Sequence, residues 1–142
     1  MDENKFYLLI VGSRNHAFAT SKYFKMFSEC VDTLLKNQQD KEICIVQGGC
    51  PTGGDYLARN YAKSKGYELK EFPADWDTYG KLAGYIRNKQ MHEYISQYPN
   101  RGVFIWWDGK SRGTSHSFEL AKQYNNPARC FIFFGLERGW KK

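Results

Sequence analysis

Short, nearly unbroken apolar runs alternate along this chain with stretches whose apolar residues recur at helical spacing. Phe6 to Val11, Ile43 to Val46, Gly102 to Trp107 and Cys130 to Phe134 are runs of the kind buried on both faces of a parallel sheet. Glu68 to Phe72 is shorter and alternates, which predicts a third strand nearer an edge. Tyr23, Phe27, Val31, Leu34 and Leu35 predict a helix between Thr20 and Lys36, capped by Thr20 or Ser21. Leu57, Ala58, Tyr61 and Ala62 predict a second helix, stopped by Gly66. Gly80 to Tyr98 reads as one long helix with Ala83, Arg87, Met91, Tyr94 and Tyr98 on one side, preceded by an irregular connection from Pro73 to Thr78. Phe118, Ala121 and Tyr124 mark a last helix, ended by Asn125-Asn126-Pro127, and Gly135 to Lys142 reads as a short basic tail. This order of strands and helices predicts an α/β fold, an open, doubly wound, mainly parallel sheet of about five strands with helices on both faces. Residues 1–142 are expected to form one domain, large enough to bury a core without disulfides or metal.

The turns carry the chemistry. Gln47 to Asp55, QGGCPTGGD, places four glycines in nine residues between a strand and a helix. Such a turn is expected to leave backbone N–H groups uncovered at the positive end of a helix dipole, which favours a bound anion over a plain tight turn. Thr52 and Asp55 are spaced as a capping box that starts the helix. Arg87 shares the inward face of its helix, where a cation must either reach out to solvent or meet an anion. Lys110, Ser111, Arg112, Thr114 and Ser115 put two cations and three hydroxyls at another helix start, a clamp for phosphate or ribose, with Thr114 as a simple N-cap the plainer reading. Right-handed crossovers bring Gly12 to Asn15, the Gln47 to Asp55 turn, Arg87 and the Asp108 to Ser115 turn to one carboxyl edge of the sheet.

Charge and composition narrow the partners. A formal net charge of +6 favours an anionic one, with Lys and Arg spread along the chain rather than bunched. The four cysteines form no CxxC pair, which fits a reduced chain, and no metal is expected. Cys50 reads as a small residue filling its turn, and His116, in the first turn of its helix, as a surface residue. The apolar run after the acidic start MDENK is too short for a signal or a membrane span, so a cytoplasmic protein is expected. GxGxxG and GxxxxGK[ST] are both absent, so neither an NAD fingerprint nor a P-loop is supported, and no cofactor is expected.

Gly12-Ser13-Arg14, GGCPTGGD from Gly48, PADW from Pro73, AGYIRNKQM from Ala83 and WDGKSRGT from Trp107 resemble, in order and spacing, the YspA-type branch of the SLOG superfamily. The resemblance implies a three-layer Rossmann-like sheet that binds a nucleotide or nucleotide-derived molecule at its carboxyl edge. It implies ligand-binding roles for Gly12, Ser13 and Arg14; for Gly48, Gly49, Thr52, Gly53, Gly54 and Asp55; for Arg87 and Asn88; and for Asp108, Gly109, Lys110, Ser111, Arg112, Gly113, Thr114 and Ser115. In the related LOG phosphoribohydrolases an Arg of RKxxM and a Glu of PGGxGTxxE help cleave an N-glycosidic bond. Arg87 with Met91 is similar to the first motif and Gly113-Thr114 to part of the second, but Glu119 follows Thr114 by five residues rather than three. A carboxylate displaced by about half a helical turn points off the site. Tyr85 stands where the branch often has Pro, a change expected to matter little beyond the helix start.

Three functions follow in order. The first is binding of an anionic nucleotide, ADP-ribose-like or signalling nucleotide at this edge. The second is a phosphoribohydrolase-type enzyme with Arg87, Glu119 and Asp75 as candidate catalytic groups. The third is single-stranded nucleic-acid binding, with Trp76, Trp106 and Trp107 as stacking candidates. SLOG relatives often self-associate, so a homo-oligomer is also expected.

Overall fold

The computed structural model describes residues 4–13, 21–108, 112–134 and 137–141. Its strands are β1 (Lys5–Gly12), β2 (Glu42–Gln47), β3 (Glu68–Glu71), β4 (Arg101–Trp107), β5 (Ala128–Phe134) and β6 (Glu137–Lys141), joined in one sheet of order β3-β2-β1-β4-β5-β6. The first five pair in parallel, with Phe6 beside Ile43, Ile10 beside Phe104 and Trp106 beside Phe131. The helices are α1 (Ser21–Leu35), α2 (Gly53–Lys65), the short α3 (Trp76–Tyr79), α4 (Ala83–Ser96) and α5 (Arg112–Gln123). The expected doubly wound α/β sheet is present, and β3 lies at an edge as its alternating sequence predicts.

Strand alternation divides the core into two layers. Leu8, Ile10, Ile43, Ile45, Phe104 and Trp106 pack against Phe27, Val31 and Leu35 of α1 and Leu57, Ala58 and Tyr61 of α2. Tyr7, Leu9, Val11, Cys44, Val46 and Ile105 face Met91 and Ile95 of α4 on the other side. Trp106 is fully buried, stacked on Phe131 at 5.5 Å with Phe27 edge-on at 5.4 Å. It is therefore a core residue and unavailable for stacking on a nucleic-acid base.

Three local expectations change. The long helix expected from Gly80 starts only at Ala83: Gly80 closes α3 at φ 56°, ψ −132°, and a 3₁₀ turn, Gly80–Leu82, leads into α4. Only glycine takes such a backbone freely, and helical spacing of side chains does not reveal it. The basic tail contains β6, antiparallel to β5 with Phe131 beside Trp140 and Phe134 beside Glu137. Its sequence, ERGWK, has the charged character of an edge strand rather than an apolar run. Thr52 is the N-cap of α2, but its hydroxyl makes no capping hydrogen bond, while Asp55 Oδ2 accepts from the Cys50 N–H at 3.1 Å. The Gly66 stop is as expected, left-handed at φ 71°, its N–H donating back to the Ala62 and Lys63 carbonyls. The candidate caps of α1, the hydroxyls of Thr20 and Ser21, lie outside the described residues.

Candidate functional site

The sheet order places β1 and β4 side by side while the chain leaves β1 toward β2 and β4 toward β5. This is a topological switch point, the place in an open α/β sheet where successive loops diverge and leave a crevice. Three backbone and side-chain contacts close its floor. The Ser13 N–H donates to the Trp106 carbonyl at 3.0 Å, the Asp108 N–H donates to Ser13 Oγ at 3.0 Å, and the Gly54 N–H donates to the Ser13 carbonyl at 2.9 Å. Ser13 thus joins the ends of β1 and β4 to the first turn of α2.

The glycines serve close approach. A Cβ on Gly54 would stand 2.6 Å from the Gly12 Cα, and one on Gly12 would stand 2.8 Å from the Gly54 Cα, so the α2 start rests backbone to backbone on the β1 end. Gly49, at φ 72°, would meet Pro73 at 3.3 Å, which packs the β3–α3 connection onto the turn. Gln47 clamps the same turn: its Oε1 accepts from the Gly49 N–H at 2.7 Å and its Nε2 donates to the Asp55 carbonyl at 2.9 Å. With Gly49 bonded to Gln47, Cys50 to Asp55 and Gly54 to Ser13, the expectation of uncovered amides fails at these three positions. Nothing in an apolar-pattern reading marks Gln47 as the clamp; its place between an apolar strand and a glycine turn is the only sequence signal.

Arg87 finds polar partners within the protein. Its Nη1 donates to the Gly48 carbonyl at 2.6 Å and its Nε to Asn88 Oδ1 at 3.0 Å, and the side chain is buried. A Cβ at Gly48 would collide with this guanidinium and come within 2.8 Å of Asp55 Oδ2. Burial pushes the Asp55 carboxyl above its usual range, against the pull of Arg87 and of the hydrogen-bonding Cys50 and Gly48 backbone. Arg87, Asp55 and Gln47 together hold the turn's shape.

The remaining candidates are distributed. Thr114 is buried in the first turn of α5 and Ser115 is exposed. Arg14, Gly109, Lys110 and Ser111 lie outside the described residues, as do the side chains of Arg112 and Gly113, whose backbone opens α5. Asp75 is exposed and caps α3, accepting from the Thr78 N–H at 3.1 Å. Glu119 is exposed and lines a cleft of about 530 Å³ with Trp107, Phe118, Lys122 and Cys130. No residue of the Gly48 to Asp55 turn lines that cleft, so Glu119 and Arg87 are not brought together there.

A polar pair missed in sequence lies between α4 and α5. His92 is fully buried, with Nδ1 3.1 Å from Asn126 Nδ2, which also donates to the His92 carbonyl at 3.2 Å. Burial, and then the neighbouring His116, lower the His92 pKa to about 4. His116 lies with its ring edge-on to Tyr85 at 4.9 Å, and burial lowers its pKa too. Among the described residues no group of His, Cys, Asp and Glu is arranged to hold a metal ion, and no helix is long and apolar enough to cross a membrane. Cys30, Cys44 and Cys130 are buried free thiols, and Cys50 is half-buried.

Strand order, layering and the switch-point crevice define a Rossmann-like α/β protein. Within that class, residues 17–79 match the model of the YspA, cpYpsA-related SLOG family. The matched segment contains GGCPTGGD and PADW, two of the five motifs that carry the resemblance read in the sequence. The match supports a general nucleotide-related binding role. No curated protein matches the chain.

Proposed function

We propose that the protein binds an anionic, nucleotide-derived small molecule in the crevice between the ends of β1 and β4. The observation that carries this reading is the switch point, with Ser13 tying the two strand ends together and α5 opening beside it. The phosphate is assigned to the α5 start, where the sequence puts Lys110 and Arg112 at the positive end of a helix dipole. The Gln47 to Asp55 turn acts as the rigid wall of this crevice rather than as the phosphate cradle, because Gln47, Asp55 and Ser13 already occupy its Gly49, Cys50 and Gly54 amides. Binding without turnover is favoured by the positions of the candidate carboxylates: Asp75 caps α3, and Glu119 lines a cleft that reaches Ser115 but is lined by neither Arg87 nor the Gln47 to Asp55 turn.

Thermal unfolding with nucleoside mono- and diphosphates and ADP-ribose tests the reading. A ligand present at about 100 times its Kd stabilises by about 2.7 kcal/mol, a rise of several degrees in Tm for a chain of this size. The rise is expected for at least one of these anions with the wild type and is lost in Lys110→Ala/Arg112→Ala. Unchanged Tm with every compound at millimolar concentration contradicts it.

A further inference from the structure

The exposed large apolar side chains among the described residues are Tyr56, Trp76, Tyr79, Leu82 and Tyr85. Four of the five fall within ten residues, at every third position from Trp76 to Tyr85, and are 47%, 47%, 62% and 42% exposed. Isolated exposed apolar residues need no explanation, but three rings and a leucine exposed within ten residues of chain mark a binding surface. This corner is anchored to the crevice at three points. Pro73, three residues before it, packs on Gly49, Arg87, two residues after it, bonds to the Gly48 carbonyl, and Tyr85 itself meets His116 of α5 edge-on. His116 lies one helical turn beyond Arg112, about 5 to 6 Å along the axis and roughly the span of a ribose.

We propose that the Trp76, Tyr79, Leu82 and Tyr85 wall is the subsite for the planar base of the ligand, so that the crevice selects base-bearing nucleotides over bare sugar phosphates. The proposal rests on the crevice reading above, which assigns the phosphate to the α5 start. Rings with a polar tip, such as Trp and Tyr, offer a base a stacking face and a hydrogen-bonding edge together. A second copy of the chain is the poorer occupant. Four side chains on a ten-residue corner supply little of the roughly 800 Å² that each partner of a stable complex buries, whereas a base needs only one or two rings.

Isothermal titration of the full chain with AMP, GMP, CMP, UMP and ribose 5-phosphate tests the proposal. At least one nucleoside monophosphate is expected to bind about tenfold more tightly than ribose 5-phosphate. Trp76→Ala and Tyr85→Ala should bring that nucleotide down to the level of the sugar phosphate, with Trp76→Phe restoring the preference. Circular dichroism of the variants checks that the fold stays intact. Equal affinities in the wild type overturn the wall as a base site and leave the phosphate reading standing. No binding of any of the five overturns the wall as their base site, and the crevice reading falls with it only when nucleoside diphosphates and ADP-ribose fail to bind as well. A concentration-dependent dimer that Trp76→Ala dissociates while the nucleotide preference persists identifies the wall as a self-association surface and overturns the proposal.

Discussion

Arg87 shows how a residue's burial and its partners assign its role more sharply than its helical position does. Its place on the inward face of α4 is legible in the sequence, and so is its need for an anion. That it donates to the Gly48 carbonyl, with the Asp55 carboxyl near enough to feel its charge, is not legible, because those groups lie more than thirty residues away and reach it only through the fold. Arg87→Ala is expected to cost about 3 kcal/mol in urea unfolding without any ligand, since it leaves the Asp55 carboxylate buried without its cation. An unchanged midpoint would move Arg87 back to the ligand. His92 gives a second test at this scale. Its folded pKa of about 4 lies below the ordinary 6.5 because burial opposes the charge. The unfolded chain therefore binds the extra proton first, so this contribution is complete above about pH 6.5 and is lost as pH falls toward 4. The loss amounts to about 3 kcal/mol at most. Stability measured against pH should fall less steeply over that window in His92→Leu than in the wild type; parallel curves would contradict the assignment.

At the scale of elements, continuous apolar runs locate four of the five parallel strands and 3.6-residue spacing the long helices, because both signals come from burial, while the exposed edge strand β3 shows only as a short alternation. The signals that fail are those of backbone conformation and of edges. Gly80 interrupts an apparently continuous helix through its own φ and ψ, and β6 pairs at the sheet's rim with a sequence too polar to stand out. The glycine turn is legible as special and misread in its mechanism. Its glycines allow α2 to touch β1, a packing relation between elements that a local pattern does not contain. Gly54→Ala is accordingly expected to destabilise by about 3 kcal/mol, as the new methyl meets the Gly12 backbone rather than a movable side chain. Chemical denaturation measures this directly, and a cost within about 0.5 kcal/mol, the usual range for surface positions, would refute the backbone-to-backbone contact.

For the whole molecule, topology organises the candidate site. Sheet order β3-β2-β1-β4-β5-β6 sets one crevice at the carboxyl edge between two diverging halves, with Ser13 across its floor and α5 opening beside it. The approximate edge was legible in advance, since right-handed connections bring the turns of a parallel sheet to one side. Which turn faces a ligand and which is closed on itself follows only from the hydrogen bonds of Gln47, Asp55 and Arg87. The central claim is that a nucleotide-derived anion occupies the β1–β4 crevice. Amide chemical shifts of the labelled protein, followed during titration with the nucleotide or ADP-ribose that raises Tm most, test it most directly. Saturable shifts concentrated at Ser13, Asp108 and Thr114 are predicted; shifts confined to residues lining the Glu119 cleft, Ser115 among them, or none at saturating ligand, would contradict it.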